Sequence, residues 1–218
     1  MGYDGDCSET TDTSEATADT TDTGELTDGV TDAYDGTAYE GKVDSGEKGY
    51  ESNAVINEDG ERFRTDDNGE RYMDYDKENG KWTLKENTAY EVNGYKYETD
   101  DNGRIEHVEG NLYMKDGDRA SLNADVEDME EGDDRGHIVA DRFNGSNKID
   151  NLVAQSSEVN RGEYKALENE LAKAVDEGHD VHVEYEIYYD EESESKRPEE
   201  ITVKYTIDGV TKTRIFEN

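Results

Sequence analysis

Residues 133–145 read DDRGHIVADRFNG. The chain carries a formal net charge of −36. Yet this stretch sets Arg135-Gly136-His137 directly after two aspartates, runs on through Ile138-Val139-Ala140 and closes on a second arginine, Arg142. Solvated surface and tight turns account for most of the remaining sequence, whereas these residue types suit chemistry. A neutral imidazole takes a proton from water near neutral pH, and a guanidinium holds a phosphate bidentately.

The sequence downstream supplies partners for that histidine. A loop, NGSNKID, leads to Asn151 and the β-prone NLVAQ, and then to NRGEYKALENELAKAVDEG over 160–178. Tyr164, Leu167, Leu171 and Ala174/Val175 recur at helical spacing and give one apolar face. Asn160 suits an N-cap and Gly178 a C-terminal stop. Glu168 lies eight residues beyond Asn160, about 12 Å along such a helix, with its side chain leaning back toward the start. A strand hairpin carrying His137 and packed across that helix start brings His, Asn and Glu together. The Asn amide oxygen is a hard neutral ligand for Mg²⁺, which keeps most of its waters. A general base, a hydrated cation and an arginine are the parts needed to hydrolyse a phosphodiester.

Further out, the composition narrows the possibilities. The first 40 residues contain twelve acids and no Lys or Arg. They read as a disordered acidic tail, 1–46, that buries too little apolar surface to offset ordering entropy. The global charge excludes a generic basic nucleic-acid-binding surface. Cys7 is the single cysteine, so no intrachain disulfide forms; a lipid anchor there is one reading of it and an inert tail thiol the other. No 18-residue apolar run marks a transmembrane helix. The opening MGYDGDCSETTDT reads as a chain picked up partway, with any export signal upstream of it.

Between 47 and 112, NEDGER, DDNGER, KENGKW, VNGYKY and DDNGRI each place Asn-Gly or Asp-Gly at a tight turn. TDDNGER and TDDNGRI recur 34 residues apart. That recurrence reads as shared turn chemistry in preference to a duplicated hairpin, and no stretch has the spacing of an EF-hand. HDVHVEYEIYY (179–189) alternates as a strand, and ITVKYTIDGVTKTRIF as a hairpin turning at Asp208-Gly209. The fold class expected is α+β, a mainly antiparallel sheet with one long helix. The units expected are the tail 1–46, a β-hairpin extension 47–86 and a catalytic domain 87–218.

Asp134-Arg135-Gly136-His137, with GHIVADRFNG, IDNLVAQSSEVNRGEYKALENELAKA and KRPEEITVKYTIDG, resembles the DNA/RNA non-specific endonucleases, the ββα-metal or His-Me finger nucleases with a DRGH motif. It is similar above all to the bacterial branch found in secreted and antibacterial toxins. The resemblance covers about 90–218. It implies a Mg²⁺-dependent enzyme (Mn²⁺ as a substitute) that cleaves DNA and RNA to 5′-phosphate products. It further implies His137 as general base, Asn160 as metal ligand, Glu168 orienting the metal's water, Arg135 stabilising the phosphate and Asn151 bracing the site. Arg142, Lys148, Arg161 and Lys165 are candidates for a phosphate track. The chain is expected to be bacterial and secreted or surface-held, as a nutritional nuclease or as a toxin with an immunity protein. The competing expectation is a surface-tethered binding module that keeps the fold without catalysis.

Overall fold

Each of the five Asn-Gly or Asp-Gly turns between 47 and 112, and Asp208-Gly209, lies between two strands. The computed structural model describes residues 38–40, 49–117, 122 and 124–218. Strands β1 (Ala38–Glu40), β2 (Val55–Glu58), β3 (Glu61–Thr65), β4 (Arg71–Asp76) and β5 (Lys81–Leu84) form one sheet in sequential order. Its pairs are antiparallel except β1 on β2. Of the segment expected to be a tail, 38–40 form β1; the rest, Cys7 included, lies outside the described residues.

A second sheet contains β6 (Ala89–Val92), β7 (Tyr95–Thr99), β8 (Ile105–Asn111), β11 (Val181–Tyr188), β12 (Glu200–Ile207) and β13 (Val210–Glu217), ordered β13-β12-β11-β8-β7-β6. The β12–β13 hairpin turns at Asp208-Gly209, where both residues take positive φ, 48° and 82°, the left-handed pair that a two-residue hairpin turn requires. The sequence DDRGH forms β9 (Asp133–His137) and pairs antiparallel with β10 (Leu152–Ser156). The architecture is α+β and mostly antiparallel.

Two expectations are corrected. The helix is not continuous from Asn160. It begins earlier, as α1 (Ser157–Arg161), breaks at Gly162 (φ −99°, ψ −106°), and resumes as α2 (Glu163–Asp176). Asn160 is therefore inside a short helix and is not an N-cap. A Cβ at position 162 would lie 2.5 Å from the Glu158 carbonyl oxygen, so the close turn between the helices needs glycine there.

The second correction concerns the 34-residue recurrence, which extends well beyond a turn. Thr65 Oγ1 accepts from Ala54 N (3.0 Å) and donates to Glu51 O (2.6 Å). Thr99 Oγ1 repeats both bonds 34 residues on, from Thr88 N (3.0 Å) and to Lys85 O (2.7 Å). Asp66 Oδ1 accepts the amides of Asn68 and Glu70, and Asp100 Oδ1 those of Asn102 and Arg104. The sheets bulge at Arg64/Thr65 and again at Glu98/Thr99. The β2–β3–β4 meander and the β6–β7–β8 meander are two copies of one unit. These aspartates are occupied in bracing turns.

The chain has fifteen tyrosines against three phenylalanines, and the core puts seven of the tyrosines to use. Tyr72, Tyr90 and Tyr97 stack in series at 4.7 and 4.9 Å. Their hydroxyls all reach the segment between β9 and β10: Tyr72 to Asp150 Oδ2 (2.7 Å), Tyr90 to Asp150 O (2.9 Å) and Tyr97 to Asn151 Oδ1 (3.2 Å). Tyr95 donates to Phe143 O (2.7 Å). Each ring contributes about 1.5–3 kcal/mol of burial, while each hydroxyl satisfies a group that would otherwise be costly to bury. Tyr72 belongs to the first meander, so that sheet braces the same loop. Helix α2 packs Tyr164, Leu167, Leu171, Ala172 and Ala174 into this core. Tyr164 also donates to Ile138 O, one residue past His137 (2.8 Å).

Candidate active site

Strand β9 and helices α1 and α2 enclose a cleft of about 670 Å³, lined by Asp133, Asp134, Arg135, His137, Asn160, Arg161, Lys165 and Glu168, with Leu122 and Met129 at its edge. His137, Arg135, Asn160 and Glu168 thus share one cavity, although the first and last are 31 positions apart in sequence.

The two aspartates of the motif are braces. Asp133 accepts from Arg197 Nε (2.9 Å) and Nη2 (3.1 Å), and this guanidinium holds its carboxyl below the usual range. Asp134 takes Arg161 Nε (2.7 Å) and Nη2 (2.5 Å) and also Asn160 Nδ2 (2.9 Å). Arg161 foremost, with help from Asn160, likewise lowers the Asp134 carboxyl. Arg197 lies just before β12, so the C-terminal hairpin holds the motif strand from outside.

Gly136 is needed for packing. A Cβ there would lie 2.7 Å from Gln155 Cβ on the paired strand, and Gln155 is fully buried. No larger residue fits between Arg135 and His137 without moving β10.

Asn151 is fully buried and does not line the cleft. Its amide makes four bonds: Oδ1 accepts from Val139 N (2.9 Å) and Tyr97 OH, while Nδ2 donates to Val139 O (2.8 Å) and Ser146 O (2.9 Å). That exhausts an asparagine's capacity. Grouped by sequence with the catalytic residues, it has no access to the cleft and closes the 138–151 loop onto itself.

The candidates for a phosphate track divide. Arg161 and Lys165 line the cleft, already paired with Asp134 and Glu168 respectively. Arg142 and Lys148 do not line it; Arg142 Nη1 donates to Asn169 Oδ1 (2.9 Å) and ties the 3-10 turn Asp141–Phe143 to α2.

One group of residues was not anticipated from the sequence. His137 Nε2 lies 2.6 Å from Asn147 Oδ1. Asn147 Nδ2 donates to Asp141 Oδ1 (2.9 Å), which also accepts Lys115 Nζ (2.9 Å). Lys115 is 22 positions before His137, and no repeating interval in the sequence connects these residues.

The donor set suits a hydrated divalent ion. Asp134 engages the nitrogen end of the Asn160 amide, so the oxygen is the end turned away from that aspartate. Among the described residues, no group of three His, Cys, Asp or Glu converges as a metal cage. A neutral amide oxygen that leaves the other positions to water is a donor of the kind that hard divalent cations accept.

Residues 86–209 match the family model described as DNA/RNA non-specific endonuclease. Over 126 residues the chain is 39% identical to the Type VII secretion system protein EssD of Staphylococcus aureus, in strains USA300 and NCTC 8325 alike. That alignment takes in 53% of this chain and 20% of the relative, so the chain spans about a fifth of those proteins. Among solved structures, NucA from Streptococcus agalactiae with magnesium bound aligns at TM-score 0.47 and 15% identity, covering 62% of this chain and 74% of that one. The metal-free form aligns at 0.44.

Proposed function

The chain belongs to the DNA/RNA non-specific endonuclease family, and from that premise we propose that it hydrolyses phosphodiester bonds of both DNA and RNA in the cleft between β9 and α1–α2. The observation that carries this reading is the meeting of His137, Arg135, Asn160 and Glu168 in one cavity. His137 takes the proton from the attacking water. Arg135, exposed on β9, presents its guanidinium to the phosphate and offsets the charge that grows in the transition state. Asn160 offers its amide oxygen to Mg²⁺, with Mn²⁺ a substitute of the same coordination chemistry. When bound, that ion lowers the cost of charge on the phosphate and the leaving oxygen. Glu168, held by Lys165 Nζ at 2.6 Å, keeps its carboxylate facing the cleft water. Arg161 and Lys165 flank the phosphate path. Release of the 3′ oxygen leaves a 5′-phosphate product.

The relation to a type VII secretion system protein supports an exported role, as a nutritional nuclease or as a toxin. A toxin requires an inhibitor that covers this cleft in the producing cell. The units proposed are the acidic tail 1–46, the extension 47–86 and the nuclease domain 87–218. Among the described residues, no helix is long and apolar enough to cross a membrane.

The deciding experiment incubates plasmid DNA and an RNA transcript with the protein in Mg²⁺ or EDTA, beside His137→Ala. Degradation of both that needs Mg²⁺ is expected, with a loss of about 10²–10⁴-fold in the variant. Purified wild-type protein that cleaves neither polymer overturns the nuclease and leaves a binding module in its place.

A further inference from the structure

We infer that Asn147, backed by Asp141 and Lys115, is a positioning residue that fixes which nitrogen of His137 carries the proton. The inference rests on the reading of His137 as the base and adds three residues to that site.

The argument follows the direction of each hydrogen bond. Lys115 Nζ can only donate, and it meets Asp141 Oδ1 at 2.9 Å. Lys115 is itself held beside the 3-10 turn by its backbone amide on Arg142 O (2.8 Å). Asp141 is buried, which alone would raise its carboxyl. The bonds from Lys115 and Asn147 outweigh that and keep it below the usual range. An ionised carboxylate only accepts, so the group facing it from Asn147 is the amide nitrogen, at 2.9 Å. The Asn147 oxygen must then point the other way, toward His137 Nε2 at 2.6 Å. A carbonyl oxygen also only accepts, so Nε2 is the nitrogen bearing hydrogen. In the neutral ring the lone pair is then on Nδ1.

Reversing the Asn147 amide would set its oxygen against the Asp141 carboxylate and its nitrogen against the ring. The lysine–aspartate pair therefore imposes one orientation on the amide, and the amide imposes one tautomer on the imidazole. The insulation is a second consequence. When Nδ1 takes a proton, the ring becomes a cation facing the amide dipole, with the Asp141 charge beyond it. The amide between them cannot relay the proton, so Asp141 stabilises the cation without becoming its acceptor. Asn147 touches the base and not the substrate, so it acts through His137.

The test needs a readout that folding alone would not move. Protein labelled with ¹⁵N at histidine gives imidazole nitrogen shifts that report the tautomer directly; His137→Ala identifies the signal among the four histidines. Spectra in EDTA, at a pH where the ring is neutral, are expected to show Nε2–H at His137 in the wild type. Asp141→Asn and Asn147→Ala should each shift the population toward Nδ1–H. The kcat should fall about 10–100-fold, as for other partners that orient a functional side chain, with KM within about twofold. Lys115→Met, at the outer end, provides the same comparison with least disturbance should either inner variant fail to fold. An Nδ1–H wild type overturns the inference. So does a protein that cleaves through His137 with the same tautomer and kcat in all three variants; either result leaves the nuclease reading intact. An Nε2–H tautomer that responds to the substitutions in a protein that cleaves nothing overturns the nuclease reading alone.

Discussion

Asp134 engages the nitrogen of Asn160 and so turns the amide oxygen outward, making the aspartate of the motif a support for the proposed metal ligand. Asp134→Ala should raise the Mg²⁺ needed for half-maximal cleavage by about 10–100-fold. A Mg²⁺ titration of initial rates checks this; an unchanged midpoint would separate Asp134 from metal binding. Gly136→Ala should cost about 1–3 kcal/mol, because the added methyl overpacks against buried Gln155; urea unfolding measures the loss. At this scale the sequence revealed residues unevenly. His137, Asn160 and Glu168 were legible because motif and spacing placed them on adjoining elements. Asn147 and Asp141 lie in an irregular loop, and Lys115 well before β9. Hydrogen bonds between such positions leave no periodicity to detect.

Among the elements, β9 depends on its neighbours. Arg197, from the segment before β12, binds Asp133 bidentately, and both side chains are largely buried. Arg197→Ala leaves that carboxylate without its counter-ion and should destabilise the fold by about 2–3 kcal/mol at pH 7, below the usual cost for a fully buried pair. The folded-state carboxyls of Asp133 and Asp134 are depressed. Their contribution is therefore complete above the unfolded carboxylate value near 3.9 and fades as pH falls through the lower folded value. The difference between wild type and Arg197→Ala should be full at pH 7 and narrow below about pH 4. Urea melts at pH 7, 5 and 3.5 test it, and a gap that widens with acid would contradict it. Strands and turns were legible, since Asn-Gly and Asp-Gly permit few alternatives. The helix break was not: an apolar face continuous in projection hid a backbone turn at Gly162 that close approach to Glu158 imposes.

For the whole molecule, charge and substrate are opposed. The net charge of −36 repels a polyanion. From 135 to 173, however, basic and acidic residues balance at six each, so the repulsion comes from outside the cleft. Screening acts beyond about 8 Å at physiological salt. Cleavage at fixed Mg²⁺ should therefore rise as salt is added from a low level, and then decline. Removing 1–46 should raise the rate at low salt and flatten the rising limb. A rate that falls steadily from the lowest salt would reject this account. The paired meanders were half-visible: the repeated TDDNG appeared, but the threonine bridges that make it a duplication span 11 and 14 residues and show only in three dimensions. The family match begins at residue 86, so it includes one copy and leaves the other outside. Each copy thus has its two ends tied together by its threonine, and what lies between them is a hairpin. An insertion of one or two residues should therefore be borne at the tips, Asp59-Gly60 or Asn93-Gly94, and resisted between a threonine and the turn that its aspartate neighbour braces.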